Sequence, residues 1–177
     1  MGWMFMPLRR YADFSGRSRR MEFWMWQVFQ ILLYVILVVL AVVMGGSAIA
    51  MAGNNDPMAA LAAGGSILVI FGLYGIYCLA VLIPSLAVAV RRLHDTDRSG
   101  WWLLGPLAPY IVMVVANAMV LSSPDGAQTG GLIALAGLVA MLVFSLILLV
   151  FYFLDGTPGP SRFGADPKGR DAAAVFA

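Results

Sequence analysis

An all-α, polytopic membrane protein with four transmembrane helices and both termini on the cytoplasmic side is the fold predicted by three observations. Apolar residues make up 62% of the 177 positions and charged residues 11%, against about a quarter charged in soluble domains. With a mean hydropathy of +0.89, the chain cannot cover itself with a polar surface. Charge is also absent from long stretches: residues 23–90 hold only Asp56, and residues 99–154 only Asp125. Finally, the eleven Lys and Arg residues fall in three clusters separated by those stretches.

A hydrocarbon core of about 30 Å takes about 20 helical residues, so each uncharged block crosses twice. Breaks fall where Gly, Asn, Asp, Ser and Pro collect, at "GGSAIAMAGNNDPMAALAAGGS" and "SSPDGAQTGG". The expected spans are 23–44, 67–90, 101–121 and 132–154, in one membrane domain covering 1–177. Residues 1–22 form a cytoplasmic N-terminal segment and 155–177 a cytoplasmic tail. Barrel strands would alternate apolar and polar residues over about ten positions, and "ILLYVILVVLAVV" does not. The first apolar run, about 22 residues, exceeds the 7 to 15 of a secretory signal, so an uncleaved first span is expected. Cys78 stands alone, which excludes an intramolecular disulfide, and is expected in the helix packing.

Orientation follows from arginine. Arg9, Arg10, Arg17, Arg19 and Arg20 precede the first span, Arg91, Arg92 and Arg98 lie between the second and third, and Arg162, Lys168 and Arg170 follow the fourth. Basic residues of short loops stay in the cytoplasm, so these three segments share the cytoplasmic side, and the 45–66 and 122–131 loops lie outside. Trp24, Trp26, Trp101 and Trp102 stand where the first and third spans leave that side, the place of interfacial anchors. Ser99 is expected to cap the third span, Gly100 to ease the turn into it, and Pro106 and Pro109 to bend or restart its helix. Pro84 is expected to kink the second span. Gly130, Ala134, Gly137 and Ala140 let the fourth helix approach a neighbour closely.

Most chemistry is excluded. One His and one Cys cannot make a structural zinc site, and arginines around His94, Asp95 and Asp97 oppose a cation. Neither hydrolase, protease, phosphate-loop nor dinucleotide motifs occur. The expectation is therefore a non-enzymatic protein with no catalytic residue, no metal and no cofactor. No ionisable side chain lies inside the spans, whereas transport sites ordinarily need one. Asn117, with Ser85, Ser145, Tyr74 and Tyr77, is all that would line the path of the alternative reading, a small transporter or channel. The short basic segments offer no fold for nucleic acid. The expected partners are membrane lipid, anionic headgroups above all, and a membrane-protein partner.

Three segments, "FSGRSRRMEFW", "RRLHDTDRSGWW" and "GTPGPSRFGADP", together resemble the signatures of the domain of unknown function 805 family, the YhaH-like bacterial inner-membrane proteins. The resemblance spans nearly the whole chain. It implies a small inner-membrane protein of unassigned activity and carries over Gly16, Arg17, Arg20, Glu22, Phe23 and Trp24, then Arg91–Asp95 with Ser99–Trp102, then Gly159, Arg162, Gly164, Asp166 and Pro167. Asp97 departs from it, standing where Gly is common. Arg19 departs too, leaving Ser18 as the expected cap of the first span beside Glu22.

All three segments fall on one side by the arginine count. The expected site is therefore a cytoplasmic face for an anionic headgroup or an acidic partner segment, built from Arg17, Arg20, Arg91, Arg92, His94, Asp95, Ser99, Gly100 and Arg162. In it the arginines supply charge, Ser99 and Gly100 free N–H groups, and Asp95 orients His94 or holds an arginine. His94 would add charge in mild acid.

Overall fold

The structure is a computed structural model and describes residues 2–52, 57–122 and 126–169. Its helices are α1 (Met6–Arg9), α2 (Arg20–Ala52), α3 (Pro57–Asp95), α4 (Leu107–Ser122) and α5 (Gly126–Phe153), with a 3₁₀ turn at Gly100–Leu104. Among the described residues four segments are long and apolar enough to cross a membrane: Arg20–Val43, Leu68–Asp95, Gly100–Ser122 and Gln128–Phe153. Their side chains are mostly exposed, as lipid-facing helices require. The architecture is the all-α, four-span one expected.

Boundaries differ in an instructive way. Expected loop residues 45–52 and 57–66 are helical, because a glycine costs a helix only about 1 kcal/mol and alanine and methionine around it favour helix. The third span opens with the 3₁₀ turn and restarts as α4 after Gly105 and Pro106, as its prolines suggested. Helix α3 runs on past its apolar stretch to Asp95. Residues 68–90 alone extend about 34 Å at 1.5 Å per residue, enough to cross the hydrocarbon core without Arg91–Asp95.

The chain divides into two compact units. In the first, residues 1–13 and 24–87, α2 and α3 run antiparallel through contacts one turn apart along α2. Trp26 Nε1 donates to Ser85 Oγ at 3.0 Å, the Tyr77 hydroxyl donates to Gln30, and the Tyr34 and Tyr74 rings meet at 5.9 Å. Trp26 is fully buried, a correction to its expected place as an interfacial anchor: the Ser85 bond holds it inside the helix pair. Cys78 is exposed rather than packed inside. Pro84 sits within continuous α3. Lacking an N–H, it cannot bond the carbonyl of Ala80 one turn back, and the Tyr11 hydroxyl donates to that carbonyl instead.

In the second unit, residues 14–23 and 88–177, α4 lies against α5. A Cβ added at Gly130 would stand 2.9 Å from the Ala116 carbonyl, and one at Gly137 3.2 Å from that of Pro109, so the small-residue face of α5 permits the close approach expected of it. Asn117 donates its amide to the Met113 carbonyl of its own helix at 2.8 Å. The bond is intrahelical and ties the side chain to its own backbone.

Candidate functional site

The second unit gathers the three signature segments at one end of its helices, and helix termini explain how. The last carbonyls of a helix have no intrahelical donor and carry the negative end of its dipole. Arginine supplies both a charge and several donors. Arg92 donates to the Tyr152 and Leu154 carbonyls at the end of α5, and Arg20 donates to that of Phe153 at 2.8 Å. At the end of α3, Ser18 N–H donates to the Arg91 carbonyl at 3.1 Å, and Thr157 N–H to that of Asp95 at 2.9 Å. The carbonyl of Asp95 also accepts from Arg17.

Asp95 is the hub. Its Oδ1 accepts from Arg17 Nε at 3.0 Å and its Oδ2 from Arg92 Nη1. All three side chains are nearly or fully buried. Arg17 reaches further, to the carbonyls of Gly159 at 2.8 Å and Thr157, tying the tail to the N-terminal segment. The tail fits only because residue 156 is glycine, since a Cβ there would lie 2.1 Å from Asp95 Oδ2. Beside this hub Arg91, fully buried, donates to Glu22 Oε1 at 2.8 Å. Asp95 thus holds arginines rather than orienting His94. Glu22, read in the sequence as a capping partner, is instead a buried counter-charge. Ser18 Oγ makes no hydrogen bond among the described residues, so it is not the cap of α2.

His94 faces elsewhere. Its Nδ1 lies 3.2 Å from the Gly16 carbonyl and so carries the donated proton, and its ring stacks on Phe163 at 3.9 Å and 3°. Burial pushes its pKa below 6.5 and nearby Arg162 acts in the same sense, while the Gly16 carbonyl opposes them. Charging in mild acid is therefore resisted, contrary to the role expected of it. Ser99 Oγ accepts from Trp101 N–H at 3.3 Å, the cap expected. A side chain on Gly100 would meet Val90 at 3.0 Å, which fits Gly100 as a packing position. Asp97 adopts φ 56°, the left-handed region that glycine enters freely and Asp tolerates.

Outside the buried hub lie exposed pairs. Arg20 meets Asp155 at 2.6 Å, Arg162 meets Asp97 at 3.1 Å, and Lys168 meets Asp155 at 2.9 Å. Arg19 Nε donates to the Pro167 carbonyl at 2.6 Å. Asp97, Thr157, Pro158, Pro160, Ser161 and Arg162 line a shallow pocket of about 280 Å³. Of the remaining expected anchors, Trp101 is 77% exposed, Trp102 meets Phe151 edge-on at 5.2 Å, and Trp24 is half-buried. Arg98 lies over the Phe151 ring at 3.8 Å.

Known proteins resemble the chain over this whole arrangement. Residues 11–165 match the family described as "Protein of unknown function (DUF805)". The inner membrane protein YhaI of Escherichia coli K12 is 31% identical over 168 residues, 95% of this chain and 97% of its own. The inner membrane protein YhaH of the same strain is 33% identical, over 95% and 98%. No solved structure matches.

Proposed function

The chain belongs to the DUF805 family, and from that premise we propose that it is a non-enzymatic, multi-pass inner-membrane protein whose basic, cytoplasmic end binds an anionic lipid headgroup or an acidic segment of a partner protein. The cytoplasmic assignment rests on the eleven basic residues, which share one side of the expected topology. One observation carries the binding reading: the exposed Arg162–Asp97 pair borders a pocket that also offers the hydroxyl-bearing Thr157 and Ser161. Exposed ion pairs are worth only about 0–1 kcal/mol, so an incoming phosphate or carboxylate can take the arginine at little cost.

This divides the nine expected site residues. Arg17, Arg91, Arg92 and Asp95 act as the framework, because their charged groups are buried and paired with one another or with Glu22, away from an incoming ligand. Arg162 and Arg20 act as the contact residues, with 62% and 40% of their side chains exposed. The test is Arg20→Lys with Arg162→Lys, which keeps the charge that sets orientation and removes the planar fork that grips an anion in two places. Native mass spectrometry of copurified lipid and a pull-down of membrane partners are the readouts. Wild type is expected to retain a specific anion or partner that the lysine variant loses while folding normally. A wild type that retains neither, or a variant that retains the ligand equally well, defeats the reading.

A further inference from the structure

Residues 2–13 belong to the first unit. They are not a polar tail: Trp3, Phe5, Leu8 and Tyr11 are 37 to 46% exposed. Two contacts fix where those side chains stand. The Phe5 ring meets Phe29 of α2 edge-on at 5.5 Å, and the Tyr11 hydroxyl bonds the Ala80 carbonyl of α3. Phe29 and Ala80 lie inside the segments that cross the membrane. A stretch of chain held against the apolar helices at those positions is placed to meet lipid on its outer side.

We propose that residues 2–13 form a membrane anchor lying in the plane of the adjoining leaflet, its partner being the acyl chains and anionic headgroups there. Composition fits such a segment. Trp3, Phe5 and Leu8 supply apolar contact, and Pro7, buried at the start of α1, fixes its turn. Arg9 is exposed and in no ion pair among the described residues, and Arg10 is tied to Asp13 at 2.8 Å. Long basic side chains reach from apolar surroundings to the headgroup layer, where anionic lipid attracts them. Tyr11 closes the segment by satisfying the one α3 carbonyl that Pro84 leaves open. This anchor does not depend on the headgroup reading above, which uses other residues.

The test places a nitroxide on Trp3→Cys in a Cys78→Ala background, both positions being exposed, in full-length protein within nanodiscs of phosphatidylcholine and phosphatidylglycerol. Collisions with oxygen, which concentrates in lipid, are compared with collisions with a water-soluble nickel chelate. Labels at Val39→Cys and Ala165→Cys give the lipid and water references. The anchor predicts an oxygen-dominated signal resembling that at Val39. A nickel-dominated signal resembling that at Ala165 overturns it. Shielding from both probes, the signature of a partner protein or a second copy on this face, overturns it equally.

Discussion

Arg17 and Asp95, 78 residues apart, form a buried pair with Nε 3.0 Å from Oδ1, and Arg92 shares the same carboxylate. One carboxylate therefore bridges two guanidinium groups from different segments while the tail folds over it at Thr157. Removing one partner of a buried pair leaves a charge without compensation, which costs about 3–5 kcal/mol.

Asp95→Asn is accordingly expected to lower the thermal unfolding midpoint in detergent sharply, whereas Asp97→Asn, which breaks the exposed pair with Arg162, costs about 1 kcal/mol or less. Differential scanning fluorimetry of the two variants side by side checks this. Equal effects would mean that Asp95 is not the hub.

Glu22 and Arg91 supply a second buried pair, and here the double variant is informative. Glu22→Gln and Arg91→Met each strand a charge or a polar group. Together they leave no buried charge, only a neutral amide, so the combined loss is expected to be smaller than the sum of the two. Additive losses in a thermodynamic cycle would show that the 2.8 Å contact carries no coupling.

The spans and the gathering of basic residues were legible because uninterrupted apolar length and charge clustering are properties of neighbouring residues. What each arginine touches was not. Arg17, Arg91 and Arg92 look alike in sequence whether they face headgroups or cap helix ends, and the choice rests on Glu22, Asp95 and the carbonyls of Tyr152 to Leu154, contributed by segments far apart in the chain. The one local clue was Glu22, an acid among arginines beside a span. Trp26 misled for the same reason, since its position matches an interfacial belt and only Ser85 on the facing helix draws it inside. Helix ends were misread near 45–66 because glycine weakens a helix without stopping it.

Acid should weaken the second unit through His94. Its pKa in the folded protein lies below 6.5, chiefly through burial, so the unfolded chain takes up the proton first. Above pH about 6.5 the imidazole is neutral in both states and contributes no pH dependence. As pH falls from there toward the lower folded value, stability is lost. The unfolding midpoint of wild type is expected to drop between pH about 7.5 and 5.5 by more than that of His94→Gln, and parallel profiles would remove His94 as the cause.

Topology is checked by cysteines in a Cys78→Ala background. Ser123, a natural choice for the far side, lies outside the described residues, and Thr96 is buried, so the exposed Ser122 and Ala165 serve instead. With the basic side in the cytoplasm, an impermeant thiol reagent on intact cells is expected to label Ser122→Cys and to spare Ala165→Cys until the membrane is opened. The reverse pattern would invert the protein.

Tyr11 and Pro84 make the sharpest case, because one variant should repair the other. Proline at 84 removes the donor for the Ala80 carbonyl, and the Tyr11 hydroxyl supplies it from another part of the chain. A polar group left unsatisfied away from water costs about 1–3 kcal/mol, so Tyr11→Phe, which keeps the ring and deletes only the hydroxyl, is expected to destabilise by that order. In a Pro84→Ala background the alanine N–H closes the ordinary helical bond, and the same Tyr11→Phe change should cost little. Unfolding midpoints of the four proteins in one detergent decide it. If Tyr11→Phe costs as much in the Pro84→Ala background as it does with the proline in place, the hydroxyl does not stand in for the missing helical donor, and the N-terminal segment is held to α3 by apolar contact alone.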